Sequence, residues 1–292
     1  MRKLLVTGAS GFLGWHVCQL AKSEWEVFGT YCSHVVEIPD VTLLKVDLTN
    51  FQDVKGIFNE LQLAAVIHTA AQSNPNYCQT HPDETDLINV TASCTIAGLC
   101  ADYNIPCAFT STDLVFDGLN PPYGETDAVC PVSYYGDQKV RAEEGMLARY
   151  SQTAVCRMPL MFGRATPTAS SFIQPFIKIL REGKELRLFT DEFRTPVSGN
   201  TAAKGLLLAL EKVQGRIHLG GKERVSRYDF GRLLVEVLQL PEIGLKGCRQ
   251  ADVPMAAPRP SDVSLDSSMA FGLGYAPLSL REELEALTEG KS

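Results

Sequence analysis

The chain has 292 residues, 45% of them hydrophobic and 21% charged, with a formal net charge of -7. This is ordinary globular composition, long enough for one large domain or two modest ones. The negative balance gives no reason to expect a nucleic-acid or anionic-membrane partner, and no apolar run reaches the ~18 residues of a membrane-spanning helix.

No charged leader with a long apolar stretch stands before the first strand pattern, so a cytoplasmic protein is expected. Nine cysteines are scattered singly, with no Cys-x-x-Cys pair. Core filling in a reducing compartment is their expected role, and no metal site is anticipated.

Residues 3–7 form a short apolar run closed by Gly8, which predicts a buried strand. Gly8, Ser10, Gly11, Phe12, Leu13 and Gly14 follow in a Gly-x-x-Gly-x-x-Gly turn that opens a helix over about 15–22. A glycine turn between strand and helix suits a dinucleotide. Its backbone comes close to the pyrophosphate, and the helix N-terminus offers free N–H groups and a positive dipole end.

Residues 26–31 predict a second strand. An NAD site usually ends this strand in Asp or Glu, which holds the ribose 2′-hydroxyl. Here the end is Thr30-Tyr31-Cys32-Ser33-His34, without an acid. Tyr31, Ser33 and His34 are therefore cofactor candidates, with Ser33 and His34 able to meet a 2′-phosphate. NADPH is expected, with NADH as the alternative. His34 reads equally as an exposed loop residue.

A third strand over 42–46 leads to Asp47 and Leu48. The Asp47 carboxylate either accepts from an adenine amino group or caps the next helix. A fourth strand over 64–71 ends in Ala70 and Ala71, small enough to leave room for a ligand at the mouth of a parallel sheet. His68 within it reads as structural. Asn89 interrupts an apolar helical pattern that runs to about 103. A buried amide needs partners, so it is either a core hydrogen-bonder or part of a polar network under the active site. A fifth strand over 107–112 ends in the hydroxyls of Ser111 and Thr112.

Ser133 leads into a helix that carries Tyr135 and Lys139 and runs to about 150. A spacing of four stacks both side chains on one face. A phenol normally holds its proton to about pH 10. A neighbouring ammonium would stabilise the phenolate and make Tyr135 a usable acid near neutrality. Tyr134 points to a different face and is the weaker candidate.

A sixth strand spans 155–161. Strands alternating with helices at short intervals predict an α/β fold, a Rossmann-type doubly wound parallel sheet over residues 1–163. After 163 the rhythm breaks. Helices are expected at about 171–182, 201–212, 227–239 (capped by Ser226) and 280–287, with short strands at 185–189 and 217–219. Residues 164–292 read as a smaller α/β substrate-binding domain, with about 196–212 packing back on the first.

With these motifs in order, the chain resembles the extended short-chain dehydrogenase/reductases. The residues that carry the likeness are Thr7 to Gly14, Asp47-Leu48, His68-Thr69-Ala70-Ala71, Asn89-Val90, Tyr135-x-x-x-Lys139 and Arg157-x-Pro159-x-x-Phe162-Gly163. Within that superfamily it is most similar to the dTDP-4-dehydrorhamnose reductases. Ser111-Thr112-Asp113-Leu114-Val115-Phe116-Asp117-Gly118 is similar to their Ser-Thr-Asp-Tyr-Val-Phe-Asp-Gly signature. Arg194-Thr195-Pro196-Val197 and Arg259-Pro260-x-Asp262 match their substrate-domain motifs. Leu114 replaces the usual Tyr, and Gly199-Asn200-Thr201 stands where these proteins often carry two acids.

The resemblance implies reduction of a keto-sugar nucleotide by NADPH. Hydride passes to the C4 carbonyl carbon and Tyr135 protonates the alkoxide. Lys139 tunes Tyr135 and holds the nicotinamide ribose, while Thr112 positions the substrate oxygen. Asn89, Arg194 and Arg259 are implied substrate contacts, with the arginines suited to the diphosphate. A homodimer is the oligomer common in the superfamily. Two other readings stay open: a nucleotide-sugar epimerase, and a non-catalytic NADP-binding subunit like the beta subunit of methionine adenosyltransferase; a dehydratase is disfavoured because Asp113-Leu114 follows Thr112 in place of the Asp-Glu pair those enzymes carry.

Overall fold

The computed structural model describes residues 1–289. Its centre is a seven-stranded parallel sheet built from β1 (Arg2–Thr7), β2 (Trp25–Tyr31), β3 (Val41–Lys45), β4 (Ala65–His68), β5 (Cys107–Thr112), β6 (Ala154–Met158) and one strand from the far half of the chain, Gly215–His218. From one edge the order runs Gly215–His218, β6, β5, β4, β1, β2, β3. The chain thus winds outward from β1 to β3, returns at β4 and winds the other way. That reversal leaves a crevice beyond the carboxyl ends of β1 and β4, where open α/β sheets take their ligands.

Helices cover both faces. α1 (Phe12–Ala21) lies on one face, and α2 (Phe51–Leu61) on the other. Between β4 and β5 run α3 (Pro75–Thr80), α4 (Pro82–Asp86), a π-helical turn (Leu87–Thr91) and α5 (Ala92–Asp102). Between β5 and β6 runs α6 (Tyr134–Arg149). The strand interiors are apolar on both sides because both sides are covered. Leu4 and Val6 pack toward α1, while Leu5 and Val66 pack with Phe58, Ile96 and Met146 on the opposite face.

The far half supplies more than a separate lobe. β7 (Met161–Phe162) is followed by α7 (Ile173–Arg181), β8 (Leu186–Phe189), β9 (Phe193–Arg194), β10 (Val197–Ser198) and α8 (Gly199–Lys212). α8 lies along α1, its small Ala202, Ala203 and Ala209 allowing close approach, with Leu206 buried between them. Gly215–His218, now β11, then pairs in parallel register with β6. The seventh strand was expected at 217–219, but not as an edge of the main sheet. Chain order alone hides a strand that returns after an excursion of some fifty residues.

The remaining elements are β12 (Val225–Ser226), α9 (Arg227–Leu238), β13 (Leu245–Cys248), α10 (Ser268–Leu273) and α11 (Leu280–Glu289). Ser226 caps α9 as the sequence predicts, its hydroxyl accepting from the Asp229 amide at 2.9 Å. A small core of Phe162, Ile173, Phe230, Leu234 and Leu284 joins α7, α9 and α11. No helix of the described residues is long and apolar enough to cross a membrane.

One buried ion pair clamps the sheet to α6. Glu143 is 1% exposed and meets Arg157 at 2.8 Å and Arg216 at 3.1 Å. Ser111 donates to the same carboxylate at 2.5 Å. Burial raises the Glu143 carboxyl, and the two guanidiniums and the hydroxyl outweigh it, leaving it below its usual range.

Candidate functional site

The glycine turn meets the geometry a pyrophosphate needs. Gly8 has φ of 74°, and a side-chain carbon there would stand 2.8 Å from the Ala70 backbone. Only glycine lets β1 turn so tightly against the end of β4. Gly11 is the N-cap of α1 and offers no side-chain cap, so the first amides of the helix face outward with their dipole. Phe12, Leu13 and Gly14 form the first helical turn. Ser10 lends its carbonyl to Thr168, from the far half, at 2.7 Å. Ala70 and Ala71 sit half-buried beside the turn.

The residues expected at the adenosine end lie at the tips of β2 and β3. Tyr31 is half-buried. Ser33 and His34 are exposed and hydrogen-bonded to each other, Oγ to Nδ1, at 3.0 Å. The strand register sets Lys45 of β3 opposite Tyr31, adding a cation that the sequence reading did not single out. Asp47 is exposed and accepts from the Thr49 amide at 2.9 Å and its hydroxyl at 2.7 Å. Asn50, not Asp47, caps α2, its Oδ1 accepting from the Gln52 amide. The capping alternative for Asp47 is thereby corrected: Asn50 sits three residues nearer the helix, where its side-chain oxygen reaches the free amide. Leu48 is buried beneath this rim.

Tyr135 and Lys139 lie one turn apart on α6, whose N-cap Ser133 accepts from the Gly136 amide at 3.3 Å. Gly136 explains how that helix reaches the sheet. A side-chain carbon there would come 2.3 Å from the Leu114 carbonyl. Its absence lets α6 press against the 3₁₀ turn Asp113–Val115 and bring Tyr135 to the end of β5. Tyr135 is 7% exposed, and the Thr112 hydroxyl stands near enough to favour its phenolate. Thr112 also accepts from the Leu114 amide at 3.3 Å and donates to Asp113 Oδ1 at 3.3 Å. Tyr134, by contrast, is 47% exposed.

The expected tuning of Tyr135 by Lys139 is not what this arrangement does. Burial drives the phenol above its ordinary value, Cys78 and Asp113 add to the rise, and only the Thr112 hydroxyl opposes it. The Lys139 ammonium donates instead to the Thr110 carbonyl at 2.8 Å and lies 4.6 Å from the Phe109 ring centre. Burial lowers it to about 8, against the pull of Glu143 and Cys78. Desolvation outweighs the pairwise charge effect that the spacing suggested.

Asn89 is also placed differently from the substrate contact first assigned to it. It is fully buried, accepting from the Gln72 amide at 2.9 Å and donating to the Gln72 carbonyl at 3.1 Å and to Gln138 Oε1 at 2.8 Å. With those partners, its amide belongs to a network beneath the site and not to the surface a ligand would touch. The wider turn at Leu87–Thr91 is what aims it there.

Across the crevice the far half contributes a charged cluster. Arg194 is 5% exposed, lies 3.3 Å from Glu192 and faces Asp113 Oδ2 at 3.5 Å. Arg227, at the start of α9, reaches Glu192 at 3.1 Å. Arg259 is half-buried and close enough for its charge to act on Glu192 and Arg194. Three guanidiniums therefore face two carboxylates. Asp113 is pushed up to about 6 by burial, in spite of Arg194. Arg227 Nη1 is enclosed without a hydrogen-bond partner, and Arg194 Nη1 and Asp113 Oδ2 have only each other, at 3.5 Å and without hydrogen-bond geometry. Such atoms cost free energy unless a ligand completes them.

The sequence reading missed Asp113, Gln138, Glu192 and Arg227 as members of the site. Asp113 stood inside a quoted motif, and Gln138 stood between Tyr135 and Lys139. For Glu192 and Arg227 no spacing signal existed, since 32 to 114 residues separate them from Asp113 and Arg259.

The family model for the RmlD substrate binding domain matches residues 1–290. The chain is 31% identical over 288 residues to a protein of Haloferax volcanii described as a probable low-salt glycan biosynthesis reductase, covering 97% of this chain and 96% of that one. It is 29% identical over 283 residues to the methionine adenosyltransferase 2 subunit beta of Danio rerio, covering 94% and 86%. Among solved structures, a dTDP-4-dehydrorhamnose reductase of Clostridium acetobutylicum superposes with a TM-score of 0.86 at 25% identity, covering 98% of both chains. That of Bacillus anthracis, solved in complex with NADP, superposes with a TM-score of 0.88 at 20% identity over 99% of both, a likeness of fold.

Proposed function

This chain belongs to the RmlD substrate binding domain family, and from that premise we propose that it reduces a nucleotide-linked 4-keto-6-deoxy sugar with NADPH. The family and its reductase relatives make it an NAD(P)-dependent oxidoreductase acting on a nucleotide sugar. The observation that carries the finer reading is one convergence. A hydroxyl pair, Thr112 and Tyr135, stands between a glycine turn suited to a dinucleotide and a buried arginine cluster suited to a diphosphate.

In this reading residues 1–163 bind the dinucleotide and residues 164–292 bind the substrate. Gly8, Ser10, Gly11, Phe12, Leu13 and Gly14 hold the pyrophosphate, with Ala70 and Ala71 leaving room beside it. Tyr31, Ser33, His34, Asp47 and Leu48 form the adenosine rim, and the missing acid after β2 favours the 2′-phosphate. A reduced nicotinamide bound there supplies a hydride. Thr112 orients the ketone oxygen, and Tyr135 donates its proton to that oxygen as charge develops. Burial keeps the phenol protonated until then, so Tyr135 acts as an acid and not as a standing phenolate. Lys139 provides a fixed positive charge on the same helix face and a donor for ribose hydroxyls. Arg194 and Arg259, with Arg227 behind them, receive the diphosphate in bidentate contacts.

The relationship to methionine adenosyltransferase beta subunits supports a second reading, a non-catalytic NADP-binding subunit. One assay separates the two: NADPH oxidation measured across a panel of nucleotide keto-sugars, beside Tyr135→Phe. Turnover by the wild type that disappears in Tyr135→Phe supports the reductase. Tight NADP binding with no turnover on any keto-sugar supports the subunit. Unchanged turnover in Tyr135→Phe rejects the mechanism.

A further inference from the structure

A second buried line of polar groups runs under the site, and its ends meet the two parts of the machinery. At one end is Thr7, the residue before the glycine turn. Its hydroxyl bonds His68 Nδ1 at 2.6 Å and accepts from the Ala70 amide at 3.3 Å. His68 Nε2 bonds the Ser93 hydroxyl at 3.0 Å, and Ser93 donates to the Asn89 carbonyl at 2.8 Å. The Asn89 amide donates to Gln138 Oε1 at 2.8 Å. Gln138 Nε2 in turn donates to Thr85 Oγ1 at 2.8 Å and the Pro82 carbonyl at 3.0 Å. Thr7, His68, Asn89, Ser93 and Gln138 are each fully buried.

Burial, assisted by the Lys139 charge, lowers His68 to about 3, so the line carries no net charge at neutral pH. What it can do is fix distances, because each buried amide and hydroxyl is costly to leave unpaired and has one satisfactory geometry. The cofactor loop and α6 touch opposite ends of it. Asn89 grips both sides of the Gln72 peptide, one residue past Ala71, while Gln138 sits between Tyr135 and Lys139 on α6.

We infer that Gln138 is a positioning residue, which through Asn89 holds Tyr135 and Lys139 in register with the cofactor loop. The inference rests on the reading of Tyr135 and Lys139 as the reacting pair. It assigns no contact with substrate or cofactor to Gln138. A loose register would leave the cofactor bound but the proton donor misplaced, and a misplacement of about 1 Å costs on the order of 100-fold in rate.

The test compares Gln138→Leu and the milder Thr85→Val with Phe58→Leu, a core substitution remote from the line that lowers stability without touching it. Expected for Gln138→Leu is a kcat loss on the order of 100-fold with the NADPH KM moving less than about threefold. Thr85→Val should show the same split at about tenfold, and Phe58→Leu no kcat loss per folded molecule. Proportional loss of activity and folded fraction in all three variants overturns the assignment, as does an effect confined to the NADPH KM. Amide exchange without substrate supplies an independent arm. Faster exchange at Gln72 in Gln138→Leu supports the coupling, and a change confined to α6 overturns it. If the wild type turns over no keto-sugar, the proposed function falls and the exchange arm alone decides the coupling.

Discussion

Two buried polar regions flank Tyr135, and they are built on opposite rules. Beneath it, the line from Thr7 to Gln138 is neutral, and its side chains find partners within the fold. Across from it, the cluster of Asp113, Glu192, Arg194, Arg227 and Arg259 is charged and incompletely paired, with enclosed atoms on three of its residues left without hydrogen bonds. The first arrangement gains from being closed, since a satisfied network is rigid. The second is held in readiness, since a buried guanidinium with a spare N–H binds an incoming anion without first breaking a bond. Under the proposed function, the difference separates the scaffold that aims the chemistry from the surface that receives the substrate.

Four experiments would break or sharpen this comparison. The largest effect belongs to the residue between the two regions. Tyr135→Phe should lower kcat by about 10²–10⁴-fold while NADPH affinity, read by fluorescence titration, stays the same. Next comes Arg194→Met in the open cluster. Its expected cost is about 2–3 kcal/mol, roughly 30–150-fold, appearing in the KM for the nucleotide sugar and not in that for NADPH. A loss that falls equally on both would mean the cluster only holds the fold together.

Asp113→Asn addresses the same cluster through stability. Asp113 is raised to about 6 in the folded chain, above its ordinary carboxylate value. Its contribution is therefore present below the unfolded pKa and is lost as pH rises through about 6, on the order of 3 kcal/mol in all. The asparagine variant lacks that loss. Urea midpoints at pH 5 and pH 8 should show its stability rising relative to the wild type at the higher pH. A gap that stays constant between the two would remove Asp113 from the account. The smallest effect is expected at the rim. Ser33→Ala with His34→Ala should reduce the preference for NADPH over NADH by about three- to tenfold, measured as a ratio of kcat/KM values.

Much of this protein is legible along the chain. The strands β1 to β6 were readable because a doubly covered parallel sheet needs uninterrupted apolar runs, each closed by a turn. The glycine turn was readable because its conformation tolerates almost nothing else, as Gly8 at φ of 74° illustrates. Tyr135 and Lys139 were readable because helical spacing is local. Two expectations about them were altered by surroundings that spacing cannot express. Lys139 turns to the Thr110 carbonyl, and burial raises the phenol it was expected to tune down.

The sequence by itself therefore determined the parallel sheet, the glycine turn and the helix that carries Tyr135 and Lys139, because each is encoded within a few neighbouring residues. Only the tertiary structure decided what stands around that donor. It folded β11 back to the sheet edge, drew Asn89 and Gln138 together across 49 residues, and set Arg194, Arg227 and Arg259 around one carboxylate. These are long-range pairings chosen by burial and charge, and the desolvation that tunes Tyr135, Lys139 and Asp113 exists only after the layers have closed.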